Sequence, residues 1–265
     1  MKIIAEIGWN HMGDMDLAKK MIFEAANSGA DYCKFQTWSV KNLKSGSWDK
    51  DGRRELYTKA ELTKEKHHEL KDYCERNKIK FLSTIFNIND ILMLKELTPS
   101  LIKIGSPEAN NIKLIEECLD NFEKVIVSTG ATKWSELLQY KSFKKINNLI
   151  LMHCVSAYPC ELKNINITKM SKLKEITNVV GYSGHYDGVD DAIAAISNNA
   201  EYIEKHFTID KNLPGRDNKF AILPNQMKFI CDYRDNYLSM REFQGLDFQE
   251  VEKNVFKESR GRWSK

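Results

Sequence analysis

The sequence predicts a (β/α)8 barrel, an α/β fold built as one domain over residues 1–265. Three observations lead there. Eight short apolar runs rich in Ile, Val, Phe and Tyr recur along the chain, at 2–8, 31–36, 79–84, 101–104, 124–128, 149–154, 179–183 and 202–206, with lengths that suit buried parallel strands. Amphipathic helical runs lie between most of them. Polar residues gather just after or at the end of each short run. Eight strand and helix pairs in about 250 residues is the count a (β/α)8 barrel needs. Periodicity alone would allow a doubly wound open sheet, so the position of the reactive residues is the arbiter.

The helical runs have their own logic. In 14–28, Leu17, Met21, Ile22 and Ala25 form one stripe and Asp14 is placed as an N-cap. The run 63–78 carries Leu70, Tyr73 and Cys74, and 134–140, 189–198 and 224–243 behave similarly. No Pro/Gly/Ser linker divides the chain, and no solenoid-type repeat is present. One connection is abnormal: the polar segment 37–59 is long for a loop and contains Trp38, Trp48, Arg53 and Arg54. A loop of that length inside a compact domain predicts an active-site flap.

Bulk composition excludes several classes. A net charge of +3, with no basic block, gives no support for a nucleic-acid or membrane-surface partner. No apolar run approaches the roughly 18 residues that span a bilayer, and the first residues turn polar too early for a signal peptide. Six scattered cysteines without a CxxC pair read as small buried or half-buried thiols in a reducing compartment. These readings place the protein in the cytoplasm.

The strand ends carry the chemistry. Glu6 with Asn10 and His11 follows the first run; Lys34 and Gln36 end the second; Thr84 ends the third. Lys103, Ser106 and Glu108 follow the fourth, Ser128, Thr129 and Gly130 the fifth, and His153, Ser156 and Tyr158 the sixth. Ser183 and His185 follow the seventh, and Lys205 and His206 end the eighth. In a barrel these ends converge on one mouth. Lys34 and Lys103 supply positive charge for a phosphate or carboxylate; Ser106, Ser128 and the Gly130 backbone supply short donors. His185 and His206, on neighbouring strands, are candidate ligands for one divalent ion that keeps open positions for water and substrate. Glu6 and Glu108 are candidates for proton transfer. Singly, each residue has a plainer reading. A lysine at a strand end is commonly a surface cation, and a histidine there a hydrogen-bonded, half-buried residue. The pair of histidines together with lysines on the second, fourth and eighth strands favours the functional one. His67 and His68, in the polar middle of a helix, read as solvent-facing; His153 reads as a core orienting residue and Cys154 as packing.

Taken in order, the motifs AEIGWNHMGD (5–14), GADYCKFQT (29–37), ELTKEKHHELKDYC (61–74), FLSTIF (81–86), IKIGSPE (102–108), VIVSTGAT (125–132), LMHCVSAYP (151–159), GYSGH (181–185) and IEKHFTIDKNLPGRD (203–217) resemble the sialic acid synthase family along almost the whole chain. That family includes N-acetylneuraminate, legionaminate and pseudaminate synthases and spore-coat polysaccharide relatives. The resemblance implies a barrel that binds phosphoenolpyruvate and the open aldehyde of an N-acylated mannosamine-type sugar, with a divalent metal, Mn²⁺ in the first place and Mg²⁺ or Co²⁺ as alternatives. It implies Lys34, Thr84, Lys103, Ser106, Ser128, Ser156 and Ser183 as phosphoenolpyruvate contacts, and His185 and His206 as metal ligands. Glu6 falls at the reacting carbons, and Gln36, Glu108, Tyr158 and Asp217 at the sugar. Three motifs depart from the family's STPF, GYSDH and GPDH: here Ile85, Gly184, and Arg216 with Asn218 stand instead. Gly184 is expected to remove a carboxylate beside a metal ligand, and Arg216 to add a cation near the sugar.

The resemblance also implies a homodimer and, after the barrel, a small antifreeze-like domain that contributes an arginine to the sugar. The sequence ends at residues 260–265, where the linker to that domain would begin, so the expectation is the catalytic barrel alone. Arg53 or Arg54 of 37–59, Arg216 of 211–221, or a separate capping protein would then take its place. Two other readings stay open: an aldolase that forms a Schiff base on Lys34, Lys103 or Lys205 or takes another sugar phosphate, and a non-catalytic sugar- or phosphate-binding paralogue.

Overall fold

Lys2 lies opposite Tyr202 and Glu6 opposite His206, so the first strand runs beside the last. That pairing closes eight parallel strands, in chain order, into a barrel and excludes the open sheet. The computed structural model describes residues 1–263. The strands are β1 (Lys2–Gly8), β2 (Tyr32–Thr37), β3 (Lys80–Ile85), β4 (Ile102–Ile104), β5 (Val125–Ser128), β6 (Leu149–His153), β7 (Val179–Gly184) and β8 (Tyr202–His206). The helices are α1 (Met15–Asn27), α2 (Arg53–Ala60), α3 (Lys64–Arg76), α4 (Ile91–Leu97), α5 (Ile112–Asn121), α6 (Trp134–Leu138), α7 (Lys169–Leu173), α8 (Asp190–Ser197) and α9 (Pro224–Met240). No helix among the described residues is long and apolar enough to cross a membrane.

Strand alternation sorts the side chains into two cores. The residues Ile3, Ala5, Ile7, Phe35, Ile102, Ile104, Val125 and Val127 face outward and pack beneath the helices. The other parity faces the barrel axis, where Ile4, Tyr32, Leu82, Leu101, Ile126, Ile150, Met152 and Tyr202 form a separate apolar plug. Each such aliphatic side chain contributes about 1.5–3 kcal/mol on burial. Two residues further along the same strands the axis-facing residue changes character: Ile4 gives way to Glu6, Tyr32 to Lys34, Leu82 to Thr84, Leu101 to Lys103, Ile126 to Ser128 and Tyr202 to Glu204. The barrel is therefore filled with hydrocarbon at its N-terminal end and with charge at its C-terminal end.

The helices form where caps and stripes coincide. The Asp14 carboxylate accepts the amides of Asp16 and Leu17 at 2.9 and 3.0 Å, and α1 buries Ala18, Met21, Ile22 and Ala25. Thr63 caps α3, whose buried stripe is His67, Leu70 and Cys74. His67 is thus not solvent-facing. Its Nδ1–H donates to the Thr63 carbonyl at 2.8 Å, so its Nε2 accepts from the Thr37 hydroxyl, also at 2.8 Å. Thr63 is the helix's own N-cap, whereas Thr37 comes from β2, a partner that the composition of the helix does not reveal.

The segment 37–59 is partly ordered as helix. After turns at Val40–Asn42 and Ser47–Asp49 it enters α2. Leu56, Tyr57 and Trp38 pack with Trp9, Met12 and Ala60, and the Glu61 carboxylate ties back to Ser39 and the Val40 amide at 2.9 and 3.0 Å. All six cysteines are free and buried.

Candidate active site

A cavity of about 720 Å³ opens at the C-terminal ends of the strands, a size usual for small-molecule sites. Four charges meet at its floor. The Lys34 ammonium lies 2.7 Å from Glu6 and 3.7 Å from Glu204, and donates to the Thr84 hydroxyl at 2.8 Å. The Lys103 ammonium donates to both Glu204 oxygens at 3.0 Å. Gln36 donates to Glu6 at 2.6 Å and Ser183 to Glu204 at 3.1 Å. Register makes this set: Glu6 is the cross-strand partner of Lys34, Thr84 of Lys103, and Ser183 of Glu204. The two carboxylates are driven apart. Burial raises the Glu6 carboxyl against the pull of Lys34. Burial also acts to raise Glu204, but Lys103 and Lys34 outweigh it and hold that group down at about 2. Unequal carboxylates in one site are the pattern of an acid–base pair. Burial lowers the Lys103 ammonium, with Glu204 opposing.

Beside the floor lies a nest of short donors. The Gly130 amide donates to the Ser106 hydroxyl at 3.1 Å. A β-carbon at position 130 would fall 2.2 Å from the Ser156 oxygen and 2.8 Å from both the Ser106 oxygen and the Cys154 sulfur. Glycine is required so that these groups converge. Cys154 is more than packing: it lines the cavity, 3.1 Å from the Ser106 hydroxyl. Ser128 lines the cavity, whereas Ser156 opens onto a smaller neighbouring pocket of about 340 Å³.

The histidine pair stands on the opposite wall. The His185 and His206 rings are 5.4 Å apart. His185 Nδ1–H donates to the Val155 carbonyl at 2.7 Å, which fixes the tautomer and leaves Nε2 as a lone pair facing other partners. His206 Nδ1 is buried without a hydrogen-bond partner, 3.8 Å from the Asp217 carboxylate. Burial lowers both imidazoles, His185 to about 3, so both are neutral at pH 7, as metal ligation requires. Among the described residues no group of three His, Cys, Asp or Glu is arranged to hold a metal ion. Two neutral imidazoles side by side are the donor type that a divalent ion accepts.

The buried histidines set a pH dependence. Burial lowers His11 (to about 4), His67, His153, His185 (to about 3) and His206. Each is neutral when folded and takes up a proton when unfolded below pH ~6.5. The unfolded state then binds more protons, so stability is full above pH ~6.5 and falls as the pH drops towards the folded values. The expected loss is up to about 1.4 kcal/mol per pH unit for each histidine. Thermal unfolding at pH 7, 6 and 5 checks it; a flat stability curve across that interval would contradict burial of neutral imidazoles.

An aromatic wall forms the outer rim. Trp9 and Tyr57 rings are 5.5 Å apart, Trp38 and Tyr57 6.0 Å, and Trp38 and Phe86 6.4 Å. Trp9 donates to Asp217 at 2.6 Å, and the Tyr158 ring lies against His185, tilted, with centroids 4.2 Å apart. Glu108 and Arg216 also line the rim. The three arginines differ. Arg54 braces its own loop through Asp49, Arg53 is tied to Asp51 and Ser47, and Arg216 makes no side-chain hydrogen bond or ion pair among the described residues.

Several strand-end residues do not join the site. Lys205 points outward and pairs with Asp191. Position 184 also faces outward, so Gly184 does not remove a carboxylate from the mouth. Thr129 donates to the Met152 carbonyl, Asn10 to the Phe207 carbonyl, and His11 packs on Phe35. His153 donates to the Ile165 carbonyl, an orienting contact. Glu204, Trp9 and Tyr57 were not singled out from the sequence. For Glu204 the signal was present: it shares strand parity with His206.

A charged mouth assembled on the strand ends of a closed barrel is the anatomy of a (β/α)8-barrel enzyme. The family model described as the NeuB family matches residues 21–242. The chain belongs to that family. It is 36% identical over 247 residues to the N,N'-diacetyllegionaminic acid synthase of Campylobacter jejuni, covering 86% of this chain and 74% of that protein. It is 31% identical to the N-acetylneuraminate-9-phosphate synthase of Homo sapiens, covering 85% and 67%. Among solved structures, the N-acetylneuraminic acid synthetase of Leptospira borgpetersenii superposes with a TM-score of 0.86 at 31% identity, covering 97% of this chain and 92% of that one.

Proposed function

We propose that the protein condenses phosphoenolpyruvate with the open-chain aldehyde of an N-acylated hexosamine similar to N-acetylmannosamine. A bond forms between C3 of phosphoenolpyruvate and the aldehyde carbon, water adds at C2, and inorganic phosphate leaves. The product is a 2-keto-3-deoxy nonulosonic acid. The observation that carries this reading is the floor itself. Lys34 and Lys103, held by Glu6 and Glu204, offer two cations to a ligand with a carboxylate and a phosphate.

Thr84 and Ser183 complete the carboxylate side, and Ser106 and Ser128 the phosphate side, with the Gly130 amide holding Ser106, and Ser156 behind them at the neighbouring pocket. Glu6, raised by burial and 2.7 Å from Lys34, is placed to exchange a proton at the reacting carbons. Gln36, Glu108, Tyr158 and Asp217 orient the sugar. His185 and His206 would hold a divalent ion, Mn²⁺ in the first place, which would supply Lewis-acid polarisation of the aldehyde oxygen. A second reading, a sugar phosphate as acceptor, is favoured by the unpartnered Arg216 at the rim.

The test is phosphate release from phosphoenolpyruvate with Mn²⁺ and N-acetylmannosamine, its 6-deoxy diacetamido relatives, mannose or arabinose 5-phosphate. Release that depends on an N-acylated aldehyde and stops in excess chelator is the expected result. Release with arabinose 5-phosphate alone would select the second reading. Full activity in chelator would remove the ion from the reaction.

A further inference from the structure

Behind the histidine pair, on the outer face of the barrel, lies a second buried charge pair. Lys205 sits between Glu204 and His206 in sequence but faces α8. Its ammonium lies 2.9 and 2.8 Å from the two Asp191 oxygens and 2.7 Å from the Tyr186 carbonyl. The Asp191 side chain is fully buried and also accepts from the Tyr182 hydroxyl at 3.1 Å. Tyr186 follows His185 in the chain. One ammonium thus ties the strand that carries His206 to the turn that carries His185.

Gly184 points at the same spot. A β-carbon there would fall 2.0 Å from Asp191 Oδ2 and 3.0 Å from its carboxyl carbon. Two carboxylates at 184 and 191 would occupy one space and repel each other. With neither, a buried ammonium would lack its counter-charge. We propose that the buried space facing Lys205 holds a single carboxylate that can be relocated between positions 184 and 191; this chain carries it as Asp191, on the first turn of α8. The Asp191–Lys205 pair acts as a positioning device for His185 and His206. The positioning half rests on the reading of those histidines as metal ligands; the relocation does not.

Four proteins test it: wild type, Gly184→Asp, Asp191→Ala and the double variant, each followed by thermal unfolding and by Mn²⁺ titration without substrates. Each single change is expected to lower Tm by roughly 10 °C and to weaken Mn²⁺ binding roughly 10-fold. The double variant is expected to recover most of both. A double variant as unstable as the two losses added would overturn the relocation. Asp191→Ala with Lys205→Met, which removes both charges, is expected to regain stability but not Mn²⁺ affinity, since the tie to Tyr186 is gone. Recovered affinity there would overturn the positioning role. Wild type that binds no Mn²⁺ would overturn the metal reading and the positioning with it, while the unfolding cycle still decides the relocation.

Discussion

Glu204→Gln is expected to lower the free energy of unfolding by about 3–5 kcal/mol, the scale of a broken buried ion pair. Glu204 accepts two hydrogen bonds from Lys103 and lies 3.7 Å from Lys34. An amide in its place leaves the Lys103 ammonium without a formal counter-charge at the bottom of the mouth. Phosphoenolpyruvate carries the missing negative charge, so it is expected to raise the Tm of the variant more than that of the wild type. Thermal unfolding with and without phosphoenolpyruvate reads both effects. A variant as stable as wild type, or one that gains less from the ligand, would contradict this account of the floor.

His206→Ala has the largest expected effect on rate. On the proposed reaction it removes one of two imidazoles from the ion site, and kcat is expected to fall about 10²–10³-fold, the scale of a lost electrostatic stabiliser. Mn²⁺ affinity is expected to fall with it, while KM for phosphoenolpyruvate changes little. Stability at pH 7 should be nearly kept, because the buried His206 Nδ1 has no hydrogen-bond partner to lose. Steady-state kinetics with an Mn²⁺ titration and one unfolding curve separate these quantities. Unchanged kcat with unchanged metal dependence would remove His206 from the reaction.

The outward side of Lys205 bears on the competing Schiff-base chemistry. A lysine held by both oxygens of a buried carboxylate and by a carbonyl has all three of its donors engaged, on the wrong side of the sheet for the mouth. That leaves Lys34 and Lys103 as the amines at the floor, each already paired with a carboxylate.

Much of this was legible in the residues. Eight apolar runs of strand length, with helical stripes between most of them and polar residues gathered at their ends, pointed to the barrel, and strand ends differ from the observed ones by a residue or so. Glu6, Lys34, Thr84, Lys103, Ser128, Ser183, His185 and His206 all reach the cavity, because a strand of known polarity delivers its last inward residue to the mouth. The sequence misdirected where only one residue separates two faces. Lys205 and His206 are adjacent, yet the two-residue period sends them to opposite sides. His67 fits a helix surface by composition, yet it lies on the stripe of Leu70 and Cys74, and Thr37 from β2 supplies the partner for its second ring nitrogen.

By itself the sequence determined the eight strands, their order, five of the helices and the chemistry available at the strand ends, since those follow from local periodicity, capping and side-chain type. The tertiary structure alone decided which charges meet. Closure of β8 on β1 brings Glu6 beside His206 and Glu204 within reach of Lys34 and Lys103, residues separated by 101 positions or more in the chain. It also put Asp191 in the space that a side chain at 184 would fill. Such pairings depend on barrel register and close packing between distant segments, which no local pattern encodes.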